Sequence, residues 1–149
     1  MTQPLIDKVK LLDKLELDYR PIWGQMTPQH MIEHLILTMR ISSGQIKAEC
    51  LNPPEKLPTL KKFLLSSRPL PKNYSLPRQS EGLFPLHYSG LSEAKNILID
   101  EINLYYKYRD ENPDAALVNP TFGILNKSEW ETFHEKHFKH HFEQFDLLK

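Results

Sequence analysis

With one cysteine in 149 residues, Cys50, the chain can form no internal disulfide, which fits a reducing cytoplasm. It also lacks an excess charge of either sign. Lys plus Arg and Asp plus Glu stand at 19 each, so no overall field exists to hold a phosphate backbone or anionic lipid. Nucleic acid and membrane surfaces are therefore not expected partners. No run approaches the ~20 apolar residues of a membrane span. The opening stretch, MTQPLIDKVKLLDKLELDYR, breaks its apolar residues with charges at almost every turn and offers no signal-peptide core. Repeats and low-complexity tracts are missing too. What remains is enough for one continuous core: 40% hydrophobic residues in a length that suits a single domain over residues 1–149. The chain is rich in one residue type only. Of its seven histidines, four (His134, His137, His140 and His141) fall close together near the C-terminus.

Five glycines and twelve prolines punctuate the chain into helices and connectors. A first helix is expected from about Gln3 to Asp18, with Leu5, Val9 and Leu12 on one stripe and Pro21 closing it. The second begins at the N-cap Thr27 with Pro28 in the first turn, and Gly44 stops it after Ser43. Met31, Ile32, Leu35, Ile36, Leu37, Met39 and Ile41 leave it only a narrow polar wedge around Glu33 and Arg40, so it should be central. Between Cys50 and Gly90, where most of the prolines lie, a long crossover is expected with one short helix around Leu57 to Leu65. Such connections often line a pocket. A third long helix follows from about Ser92 to Arg109. A last one is expected to start at a Ser128–Glu131 capping box and run to about Leu147. With no convincing strand pattern, the expectation is an all-α four-helix bundle with a long crossover between helices 2 and 3.

Each helical residue advances about 100°, so His134, His137 and His141 share a sector of about 60°. Trp130, Phe138 and Phe145 lie on or beside that sector, which places these imidazoles on the packing side of the helix. A buried imidazole needs partners, and a cation is one that two histidines four residues apart can share. His140 turns away by about one residue step and receives no ligand role. Zinc and its neighbours take at least three protein ligands, so a third must come from another helix. His34, in the middle of the most apolar helix, is the best donor. His30, one turn earlier, is expected to be solvated.

Two segments resemble a known family. Trp23-Gly24-Gln25-Met26-Thr27-Pro28-Gln29-His30-Met31-Ile32-Glu33-His34-Leu35 resembles the opening of the second helix in the DUF1569 branch of the DinB-like superfamily. Asn119-Pro120-Thr121-Phe122-Gly123, with Trp130 through His134, His137, His140, His141 and Phe145, resembles that branch's C-terminal signature, although the branch often has a histidine where Asn119 stands. The resemblance brackets nearly the whole chain. It implies a four-helix bundle holding a divalent metal through one histidine of the second helix and an HxxxH pair on the last: here His34, His137 and His141. Zinc, nickel and iron all suit imidazole, as does copper. The resemblance also implies a small-molecule substrate, with a low-molecular-weight thiol as the first candidate, and leaves a homodimer open.

Glu101 falls in the middle of the third long helix's apolar face, so its carboxylate wants a partner. Orienting a ligand histidine, taking a fourth metal position and acting as a base are the functional options, and an ion pair with Arg40 or Arg109 is the structural one. Cys50, just beyond a helix C-terminus, reads as an inert thiol. His87-Tyr88 fits either a pocket wall or loop packing. Lys61, Lys62, Arg68, Lys72 and Arg78 make the crossover locally basic, which suits an anionic substrate or plain solvation. Three functions compete: a metalloenzyme transferring a thiol to a small electrophile or assisting hydrolysis, a non-catalytic metal-stapled bundle, and a helical protein whose histidines are simply hydrogen-bonded.

Overall fold

The computed structural model describes residues 4–72 and 84–148, and Gln3 and Arg78 lie outside that set. The described chain is mostly helical. Its elements are α1 (Pro4–Val9), α2 (Pro28–Ser42), α3 (Leu57–Leu65), α4 (Leu91–Glu111), β1 (Leu117–Asn119), β2 (Gly123–Leu125) and α5 (Lys127–Gln144). Among the described residues, no helix is long and apolar enough to cross a membrane.

The boundaries of α2 follow from its ends. The Thr27 hydroxyl accepts the His30 amide, Pro28 needs no hydrogen-bond acceptor, and Gly44 takes φ +76 just beyond the C-cap. Met31, Ile32, Leu35 and Met39 are wholly buried, and α2 packs along α4 through Ala94, Leu98, Ile102 and Tyr105. The first helix is shorter than the stripe suggests. After Val9 the chain tightens into a 3-10 turn over Lys10–Lys14. Val9, Leu12 and Leu15 are all buried at a spacing of three, which a turn of three residues stacks on one edge.

Two further expectations give way to local geometry. The capping box of α5 is Asn126 with Glu129, two residues ahead of Ser128 and Glu131: Asn126 Oδ1 accepts the Glu129 amide and Glu129 Oε1 accepts the Asn126 amide. Asn-x-x-Glu satisfies the same reciprocal bonding as Ser-x-x-Glu, and here it follows β2 directly. The strands themselves were not expected. β1 and β2 pair antiparallel, Leu117 with Leu125 and Asn119 with Gly123, around a turn in which Asn119 Oδ1 accepts the amides of Thr121 and Phe122. Gly123 is required there twice over. Its φ is +78, and an added Cβ would stand 2.9 Å from a Leu57 methyl. The hairpin thereby rests on α3.

A second apolar cluster forms where these parts meet, from Ile41, Leu64, Phe122, Leu125, Trp130 and Phe133. The main core lies elsewhere, between α1, α2, α4 and the C-terminal half of α5. The end of the crossover closes over the start of α2. Glu33, expected in the polar wedge, is buried and accepts the backbone amide of His87 at 2.7 Å and the Gln29 side chain at 2.8 Å. His30 is likewise buried rather than solvated: one ring nitrogen lies 2.6 Å from the Thr27 hydroxyl and the other donates to the Phe84 carbonyl at 3.0 Å.

Candidate metal centre

His34 projects from α2 and His137 and His141 from α5 into one cluster whose ligating atoms all lie within 4.8 Å of one another. The Nε2 atom of His137 is 2.9 Å from that of His34 and 3.0 Å from that of His141. The cluster stands at the wall of a cavity of about 490 Å³. That size is usual for a small-molecule site. His137 and His141 are almost fully buried and His34 is half-buried.

The neighbours of His141 fix its tautomer. Gln144 Nε2 donates to the Trp23 carbonyl at 2.9 Å, which leaves its Oε1 to face His141 Nδ1 at 2.8 Å. An amide oxygen only accepts, so Nδ1 carries the hydrogen and Nε2 presents a lone pair to the cluster. His137 Nε2 faces two other ring nitrogens, and one hydrogen on it can serve only one of them. Burial first, and then the neighbouring imidazoles, hold His137 well below the usual histidine range; burial and then His34 do the same for His141. His34 is pushed down to about 4 by burial, with His140 adding to the shift. All three rings are therefore neutral at pH 7, the form that binds a metal.

The donor set fits a divalent cation. Tetrahedral zinc with bonds of 2.0–2.1 Å separates its nitrogens by about 3.3 Å, a few tenths of an ångström beyond the two spacings that His137 makes. Gln144 is the outer partner that orients a ligand histidine. By contrast, the Nδ1 atom of His137 has no partner among the described residues, so the outer support of the trio is incomplete.

The other histidines of α5 separate cleanly. His134 is sealed from solvent, 2.8 Å from the Ser42 hydroxyl through Nε2, with Tyr105 and Trp130 packed on its ring. Burial, with the Arg109 charge adding to it, pushes its pKa down to about 3. It does not belong to the cluster. His140 also stays outside the cluster, yet it lines the cavity against the Trp23 ring, 5.3 Å between centroids.

Glu101 is not brought to the histidines. It is buried, ion-paired with Arg40 at 3.2 Å and bonded to Gln45 at 3.0 Å, and it is not among the residues of the cavity wall. The structural option for this carboxylate is the one the geometry realises. Nor do His87 and Tyr88 reach the wall; besides holding Glu33 through their amides, they supply the Tyr88 hydroxyl to Arg40 at 2.8 Å. Cys50 also lies off the wall, its thiol 3.5 Å from the Asn52 carbonyl.

Several residues that form the site were not singled out for it by the sequence. Gln144 had a usable signal, since it stands one turn beyond His141. The turn residues Asn119 to Phe122 line the cavity, as do Leu60, Phe63 and Leu70 of the crossover, and their role depends on contacts across the chain. No protein-family model, no curated protein and no solved structure matches this chain.

Proposed function

We propose that the chain is a metal-dependent enzyme of the DinB-like kind, in which His34, His137 and His141 hold one divalent metal and a low-molecular-weight thiol is transferred to a small electrophile. In this reading α1, α2, α4 and α5 are the four helices of the bundle and α3 belongs to the crossover. The carrying observation is the convergence of three imidazole nitrogens from two helices at the wall of a cavity. The two sequence segments that resemble the family contain these same three residues.

Three neutral ligands leave a bound divalent metal its full charge and an open position, which suits lowering the pKa of a thiol or a water. The protein's own part is positioning and exclusion. Burial keeps the imidazoles unprotonated, Gln144 aims the lone pair of His141, and the aromatic wall limits water around the reacting groups. In thiol transfer the sulfur–carbon bond forms as the bond to the leaving group breaks, the leaving group departs with its electron pair, and the thiol proton is released. No general base is assigned, because Glu101 is engaged by Arg40 and Gln45.

Metal analysis of protein purified without a histidine tag should find close to one divalent ion per chain. A thiol such as glutathione, bacillithiol or coenzyme A should then change the visible spectrum of the cobalt-substituted protein, and His34→Ala should abolish both metal and change. Turnover of an ester or amide without any thiol response would put metal-assisted hydrolysis in place of transfer. A full complement of metal with neither response would leave the structural staple and sink the enzyme reading.

A further inference from the structure

The cavity beside the histidines is lined, among the described residues, by no lysine, arginine, aspartate or glutamate. Its wall is dominated by rings and aliphatic groups, with Trp23, Phe63, Phe122, Trp130 and Phe133 as the aromatic members. Phe133 meets both Trp130 and Phe122 edge to face, at centroid distances of 5.5 and 6.0 Å. One nearby cation stays close to the wall, since the Lys72 ammonium lies 4.6 Å from the centroid of the Trp23 ring, and two others are committed elsewhere. Lys61 pairs with Glu129 at 3.3 Å, and Lys136 donates to the carbonyls of Phe63, Ser66 and Arg68.

Several polar side chains of the wall are engaged within the protein, while Trp23 Nε1 and Asn119 Nδ2 are buried with no partner among the described residues. The Thr38 hydroxyl donates to the Leu35 carbonyl, both ends of the Gln144 amide are bonded, and Asn119 Oδ1 accepts two backbone amides. With no metal bound, a charged ligand entering here would lose its hydration and meet no opposite charge among the side chains of the wall, which is costly. A ring would instead find edges and faces of other rings to pack against.

We infer that this cavity selects a small, uncharged, aromatic molecule, which in the reading above, on which this inference rests, is the electrophile rather than the thiol. The crossover, through Leu60 and Phe63 of α3, and the β1–β2 turn, through Phe122, share that selectivity with Trp23 and with Trp130 and Phe133 of α5, the helix that also carries His137 and His141.

Both tryptophans of the chain line the cavity, so their fluorescence reports its occupancy directly. Protein treated with EDTA is titrated with phenylacetamide, phenylacetate, phenethylammonium and the ring-free butyramide, and metal content is measured on the same preparation before chelation. Phenylacetamide is expected to bind at least about tenfold tighter than either ion, and more tightly than butyramide. Leu60→Lys, a change at a partly exposed wall position, is expected to raise the affinity for phenylacetate. The inference is overturned if an ion binds as well as phenylacetamide, if butyramide equals it, if no compound perturbs the fluorescence, or if Leu60→Lys leaves phenylacetate unchanged. Selective binding by a protein that carries no metal would sink the proposed function and leave this inference standing. Metal without selectivity would do the reverse.

Discussion

His134 and His137 lie one turn apart on the same face of α5, and both are buried, yet their surroundings suit them to opposite roles. His134 meets a hydroxyl from Ser42 and is sealed by Tyr105 and Trp130. His137 meets two other imidazoles beside a cavity. Burial and helical phase are shared, so neither distinguishes a structural imidazole from a ligand. The difference lies in what faces the ring nitrogen: a group that can complete a neutral hydrogen bond, or further lone pairs that a cation can gather.

The largest expected effect separates the two residues directly. His137→Ala should remove the metal altogether, because two remaining imidazoles do not complete a site. His134→Ala should keep the metal and instead lower stability by about 2–4 kcal/mol, through the cavity it leaves and the hydrogen bond lost to Ser42, whose hydroxyl keeps only the Met39 carbonyl. Metal analysis and thermal melting of the two variants decide this. Loss of metal from His134→Ala in a folded protein would erase the distinction.

Acid should pull the same two environments apart more gently. The unfolded chain protonates its histidines below about 6.5, whereas folded His134 stays neutral down to about 3. The unfolded state therefore binds more protons in that window, and the stability contributed by neutral His134 is complete above pH 6.5 and falls as the pH drops. Metal release from the folded protein follows a different scale, because protons must compete for rings already held low, His34 to about 4. Between pH 7 and 5 the melting temperature should fall while metal content at a temperature well below melting holds. Metal lost in step with a free histidine would show that the trio is not held low in the folded chain.

The smallest effects fall on the neighbours of the trio. Gln144→Ala should weaken metal binding by about 10–100-fold without abolishing it, since it removes only the outer partner of His141. His140→Ala should leave metal affinity close to the parent's. Competition against a chelator measures both, and a larger loss from His140→Ala than from Gln144→Ala would reverse the assignment.

How much of this was legible depended on the range of the interaction. The limits of α2 were readable because Thr27, Pro28 and Gly44 act within a turn of their own positions. The convergence of His137 and His141 was readable because the helical step alone places them. His30 was not, since its cover comes from Phe84, far along the chain. The hairpin was equally hidden: strands of three residues carry too little alternation to show a period, and Asn119 declares its turn only through its own side-chain bonds. Glu101 was half legible. Its angular position was correct for burial, but the choice between a metal-site role and Arg40 was made by the tertiary packing of α2 against α4.

The Gly123–Leu57 contact brings the β1–β2 hairpin against α3, so two segments that help shape the cavity meet in one part of its wall. Neither segment contributes one of the three clustered histidines. Insertions or replacements within this part could retune which molecules enter without disturbing the imidazoles, much as a lens can be changed without touching the shutter. Diversification of such a scaffold would therefore leave its record in the crossover and the hairpin long before it reached the helices that carry the histidines.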